Sequence, residues 1–203
     1  MINTKNKLSL YKIFSMPNLY IISGCNGAGK TTASFTVLPE MLQCKEFVNA
    51  DEIAKGLSPF QPEKVAIEAG RIMLKRIDEL LEAKSDFAFE TTLASKSYIN
   101  TIKKAQLKGY FITLIYFWLN SPELAIERVK ERVLNGGHNI PEDVIYRRYT
   151  NGLRNFSKIY MPQCDFWLLI DNSNPPFSVI AEGNKKHKIN ISNQSVFDKI
   201  IQL

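Results

Sequence analysis

The chain has 203 residues, of which 45% are hydrophobic and 23% charged, with a formal net charge of +6 and three cysteines. That length suffices for one hydrophobic core, and the composition excludes disordered, collagen-like and disulfide-built proteins. The basic balance, with moderate clusters over 128–132, 147–154 and 185–188, suits polyanionic substrates such as nucleotides and does not by itself argue for nucleic acid as a partner.

Cys25, Cys44 and Cys164 are widely separated, without metal-ligand spacing, so they read as free thiols of a reducing compartment. Near the N-terminus, Lys5, Lys7 and Lys12 surround too few apolar residues for a signal peptide. The longest apolar run, Phe111 to Leu119, is too short to span a bilayer, so the expectation is a cytoplasmic protein with no membrane partner.

Residues 1–17 read as a polar lead-in with a short helix over Leu8 to Phe14, ahead of a single domain over 18–203. Leu19 to Ser23 is a short apolar, β-branched run, the pattern of a buried strand. Gly24-Cys25-Asn26-Gly27-Ala28-Gly29-Lys30-Thr31-Thr32 follows, fitting the phosphate-binding loop G-x-x-x-x-G-K-[ST]. A helix from Thr31 to Leu42 completes the strand–loop–helix context that the motif requires. Its glycines let backbone N–H groups converge on an anion, and the helix N-terminus adds its dipole. Lys30 then reaches the β- and γ-phosphates of ATP, and the Thr31 hydroxyl takes a place on Mg²⁺.

Glu46 to Asp51 reads as a second strand ending on an acid, and Pro59 and Pro62 mark the loop beyond it. Val65, Ile72, Ile77, Leu80 and Leu81 recur at helical spacing within Glu63 to Lys84. Phe87 to Glu90 is a third strand, again ending on an acid; Thr91 to Ser97 then turns into a helix that Gly109 stops. Tyr110 to Leu119 reads as a strand buried on both faces. Ser121 caps the next helix, with Pro122 in its first turn and Arg128 and Arg132 on one face. Gly136-Gly137-His138 breaks that helix, and Pro141 opens another through Arg147, Arg148 and Arg154. Asp165 to Ile170 is a fifth strand, followed by a hairpin and a closing helix over about 176–203.

Strands alternating with helices predict a three-layer α/β/α fold of the P-loop NTPase type, with a mostly parallel five-stranded sheet. Ligands of such sheets sit at the carboxyl ends of the strands, which places Asp51 and Glu90 beside the phosphate loop. The basic helix–loop–helix over about 124–156 reads as a lid of the kind kinases close over the γ-phosphate. Asp51 has two readings, a catalytic base or the cap of the helix after it. Glu90 also has two, a substrate contact or a Mg²⁺ ligand through water. No apolar run ending in Asp-Glu follows the fourth strand, and no LSGGQ-like string is present, which counts against a transporter ATPase.

From about Asn18 to Asp171 the chain resembles the zeta-toxin family of P-loop kinases, including a branch labelled predicted ABC-type ATPases. The resemblance rests on Gly24–Thr32, Val48-Asn49-Ala50-Asp51-Glu52-Ile53, Phe89-Glu90-Thr91-Thr92, Arg128 to Arg132 and Gly136 to Pro141. It implies that Asp51 is the catalytic base, that Glu90 and Thr92 form the substrate motif, and that Arg128 or Arg132 clamps the γ-phosphate. It also implies a hydroxyl-bearing acceptor, UDP-N-acetylglucosamine for toxin members, and a small antitoxin that blocks the ATP site. Where those toxins carry an arginine two residues after the motif threonine, this chain has Ala94, with Lys96 the nearest cation. A nucleic-acid 5′-end kinase and a slowly hydrolysing nucleotide switch are the rival readings.

Overall fold

The computed structural model describes residues 16–185 and 188–202. The helix expected over Leu8 to Phe14 lies outside the described residues. Strands β1 (Asn18–Gly24), β2 (Glu46–Val48), β3 (Phe87–Thr91), β4 (Phe111–Trp118), β5 (Phe166–Asp171), β6 (Ser178–Asn184) and β7 (Ile189–Ile191) form one sheet. Its order is β2-β3-β1-β4-β5-β6-β7, parallel from β2 to β5 and antiparallel beyond. The sheet thus has seven strands and not five. The hairpin β6–β7 pairs with β5 and extends the sheet, which supplies partners for the β5 edge.

All seven residues of β1 are buried, because helices cover both faces of the sheet. Its side chains divide by the two-residue period of a strand. Leu19 and Ile21 join Met73, Ile77, Phe87, Phe89 and Tyr116 in one apolar cluster; Tyr20 and Ile22 join Leu38, Ile115, Phe117 and Val129 in the other. Each fully buried apolar side chain of this size contributes about 1.5–3 kcal/mol.

Helix α1 (Lys30–Thr36) is shorter than the sequence suggests. Pro39 has no N–H to donate, and Val37–Met41 widens into a π-helical turn. Helix α2 (Ala50–Leu57) begins earlier than expected. Asn49, not Asp51, caps it: the Asn49 side chain accepts a bond of 2.8 Å from the Asp51 N–H, so β2 stops at Val48 and Asp51 lies in the first helical turn. Helix α3 (Ala66–Glu82) buries Ala69, Met73, Ile77, Leu80 and Leu81, while Ile72 is 39% exposed. Helix α4 (Tyr98–Leu107) follows β3. Helix α5 (Pro122–Leu134) is capped by Ser121, whose hydroxyl accepts from the Leu124 N–H at 3.1 Å. Helices α6 (Glu142–Asn155) and α7 (Gln194–Ile201) complete the layers.

Candidate active site

The phosphate loop leaves β1 at Gly24, whose φ is +141°, and a Cβ built there would stand 2.3 Å from the Phe117 carbonyl oxygen. Only glycine lets the chain turn this close to β4. On the opposite side the Asn172 amide, just past β5, donates to the Ala28 carbonyl at 2.9 Å. The loop is thus fixed between two strand ends before any anion is considered. Cys25 is buried within it, and desolvation pushes its thiol up to about 11. Thr32 is exposed in the first turn of α1.

Lys30 is buried and donates to the Cys25 carbonyl at 2.9 Å. Its ammonium also stands 3.5 Å from Glu90 Oε1, with side chains 7% and 9% exposed. Glu90 Oε2 accepts from the Thr31 hydroxyl at 2.8 Å and from the Asn49 amide at 2.9 Å. Glu90 therefore sits against the P-loop lysine and threonine, and Asn49 both caps α2 and anchors this carboxylate. Sequence reasoning passed over Asn49 as a site residue. The signal was there, since asparagine directly before a helix is a preferred cap.

Asp51 and Arg148 face the same space. The Asp51 side chain is half exposed, and Arg148 donates from Nη1 to Asn26 Oδ1 of the phosphate loop at 3.1 Å. Burial lowers the Arg148 pKa, the Asp51 charge opposing that shift. A cavity of about 370 Å³ is lined by Lys30, Asp51, Glu90, Thr92, Arg147 and Arg148, among others. The sequence marked Arg147 and Arg148 as basic helix positions without assigning either to the site.

Arg128 and Arg132 do not line this cavity, although Arg128 packs on the phosphate loop, where a Cβ on Gly27 would stand 3.2 Å from its Cβ. Both Arg128 terminal nitrogens donate to backbone carbonyls, to Asn172 at 2.9 Å and Ser173 at 2.8 Å. Arg132 donates to the His138 carbonyl at 3.1 Å. Lys96 is exposed and does not line the cavity, whereas Ala94 and Arg147 do. Arg147, from α6, is thus a cation at this cavity on the side of Ala94. Thr92 Oγ1 accepts a long bond, 3.4 Å, from the Ala94 N–H, closing the turn after β3.

A parallel sheet of order 2-3-1-4-5 carrying this loop at the end of its central strand defines a P-loop kinase fold. The zeta toxin family model matches residues 3–167, and the chain belongs to that family. It is accordingly an ATP-dependent phosphotransferase. An uncharacterized protein of Haemophilus influenzae is 34% identical over 140 residues, covering 68% of this chain and 97% of that protein. Among solved structures, a chain of the AvrRxo1-ORF1:AvrRxo1-ORF2 complex with sulphate ions has a TM-score of 0.74 at 16% identity; the likeness covers 97% of this chain and 66% of that one. A chain of the PezAT chromosomal toxin-antitoxin system of Streptococcus pneumoniae has a TM-score of 0.64 at 16% identity, covering 98% and 89%. At that identity, the two structures share the fold with this chain.

No helix among the described residues is long and apolar enough to cross a membrane.

Proposed function

We propose that the protein transfers the γ-phosphoryl group of ATP to a hydroxyl of a small-molecule acceptor bound in the 370 Å³ cavity. The observation that carries this reading is the meeting of Lys30, Glu90, Asp51 and Arg148 around one space that opens from the phosphate loop. The acceptor oxygen attacks the γ-phosphorus as its bond to the β,γ-bridging oxygen breaks; ADP leaves, and the acceptor proton passes to Asp51. Lys30 and the loop amides hold the β- and γ-phosphates, and Arg148 meets the charge on the transferred group when the α5–α6 lid closes.

A Mg²⁺ ion fits the Thr31 hydroxyl and the Glu90 carboxylate, hard oxygens 2.8 Å apart beside the loop. Bound there, it would neutralise charge on the β- and γ-phosphate oxygens. This favours Glu90 as a metal-side residue and leaves Thr92, Arg147 and Asn151 on the acceptor side of the cavity. A cationic wall opposite Asp51 suits an anionic acceptor, of which a nucleotide sugar such as UDP-N-acetylglucosamine is the family's case. A small antitoxin that covers the ATP site is the partner we infer, supported by the family and by the PezAT likeness.

The test is Asp51→Asn. Asn keeps the size and polarity of the side chain, and the cap on α2 belongs to Asn49. We expect normal folding and Mg-ATP affinity with acceptor phosphorylation reduced by about 10²-fold or more. Full acceptor-dependent ADP release from this variant would end the assignment of Asp51 as base.

A further inference from the structure

The Gly136-Gly137-His138 break is the motif that the mechanism above leaves unused. It forms the loop between α5 and α6, and Arg132 shapes it from beneath. The Arg132 guanidinium holds the His138 carbonyl at 3.1 Å. The loop curls so tightly over this side chain that a Cβ on Gly137 would stand 2.6 Å from Arg132 Cγ and 2.9 Å from its carbonyl oxygen. The curl turns the His138 ring towards the site: Nε2 lies 3.9 Å from Asp51 Oδ2, and the ring is only 13% exposed.

We propose that His138 is a positioning residue for Asp51, presented by a loop that Arg132 and Gly137 shape, so that lid closure orients the base. The inference rests on Asp51 being that base. At 3.9 Å the contact is longer than a hydrogen bond, and an advance of the loop by about 1 Å would make one. Two atoms of the unit support such a movement. Arg132 Nε and His138 Nδ1 are both buried without a hydrogen-bond partner among the described residues, so the present loop position leaves polar groups that a closed position can satisfy. A second cavity, of about 260 Å³, lies between this loop and α2, and it meets the acceptor cavity at Asp51 and Arg148. The loop therefore has room to approach.

Once donated from Nε2, a hydrogen bond fixes one Asp51 oxygen and leaves the other to face the acceptor hydroxyl. The donor is the neutral ring at neutral pH. Burial lowers the His138 pKa; Arg132 and Lys55 lower it further, while Asp51 and Glu63 act the other way. Below that pKa the ring carries a proton and a charge, and ion pairing with Asp51 makes the carboxylate a weaker base. Acceptor turnover should therefore fall as the pH drops through the His138 pKa.

The experiment compares His138→Ala, His138→Gln and Asp51→Asn for acceptor-dependent turnover, ATP affinity and the pH profile of kcat, with melting temperature as the control for folding. His138→Ala should lose about tenfold in kcat with ATP affinity unchanged. His138→Gln, whose amide reaches the Nε2 position but does not titrate, should recover most of that loss and flatten the acid limb. Wild-type kcat and an unchanged pH profile in His138→Ala, beside an inactive Asp51→Asn, would overturn this proposal and leave the base intact. An active Asp51→Asn would overturn both.

Discussion

Arg148 differs from the other two candidate arginines in what its guanidinium touches. It reaches a side chain of the phosphate loop, Asn26, and lies within the field of Asp51. Arg128 instead spends both terminal nitrogens on the carbonyls of Asn172 and Ser173, tying α5 to the segment after β5. Arg132 holds the His138 carbonyl. A guanidinium already satisfied by carbonyls would have to break those bonds before it met a phosphate. Arg148 has only to exchange one neutral amide oxygen for a stronger, charged acceptor. Arg148→Ala should therefore lower kcat by about 10³-fold with little change in ATP affinity, within the range for arginines that meet a transferring phosphoryl group. Arg128→Ala should act mainly on stability, through two charge-assisted bonds worth about 2 kcal/mol each before exposure is discounted. Steady-state kinetics and thermal melts on the two alanine variants check this. Loss of turnover in Arg128→Ala at an unchanged melting temperature would return the clamp to α5.

At the scale of elements, α6 is joined to the turn after β3. A Cβ on Gly152 would stand 2.4 Å from the Thr92 carbonyl oxygen; the Asn155 amide donates to the Leu93 carbonyl at 2.8 Å, and the Tyr160 hydroxyl to that of Ser95 at 2.6 Å. Leu93 itself is fully buried with φ +54°, a left-handed conformation that a leucine holds only when its surroundings impose it. The helix that carries Arg147 and Arg148 and the turn that carries Thr92 thus fix one another. Gly152→Ala should force them apart, raising the acceptor KM by about tenfold or more while leaving the KM for ATP near normal, since a misplacement of about 1 Å can cost up to about 10²-fold. Initial-rate kinetics with each substrate varied in turn would detect the split, and equal changes in both KM values would contradict it. None of this coupling is visible in sequence, because it depends on contacts across 60 residues, as from Leu93 to Asn155 at a separation of 62. The phosphate loop was legible because its mechanism is local: a strand, then three glycines, a lysine and two threonines within nine residues. Helical spacing put Arg128 and Arg132 on one face but carried no information on what that face meets. The β2–α2 boundary was misplaced because Asn49 and Asp51 are both good caps and only the fold chose between them.

Across the whole molecule, the sheet ends in short strands on both sides, three residues each in β2 and β7. Short edges limit the unpaired backbone offered to other chains. The β7 side is backed by α7, where Phe197 stacks on Trp167 of β5 with centroids 6.1 Å apart and planes within 5°. Trp167 also closes on Gly183 of β6, where a Cβ would stand 2.5 Å from its ring. This tryptophan ties β5, β6 and α7 into one packing unit. Trp167 lies four residues before Asp171, after which Asn172 contacts the phosphate loop. At the rise of a strand that separation is about 13 Å. The C-terminal unit therefore supports the site through the stiffness of β5, and none of its described residues lines the 370 Å³ cavity. Phe197 is 8% exposed, and removing its ring leaves a cavity against a tryptophan that cannot collapse to fill it. Phe197→Ala should cost about 3 kcal/mol. For a chain of this size that corresponds to a fall in Tm of about 6–12 °C, and the total stability of about 5–15 kcal/mol leaves the variant folded at room temperature. At that temperature both KM values and kcat should match the wild type. A stable Phe197→Ala variant with a raised acceptor KM would instead bring the C-terminal unit into substrate recognition.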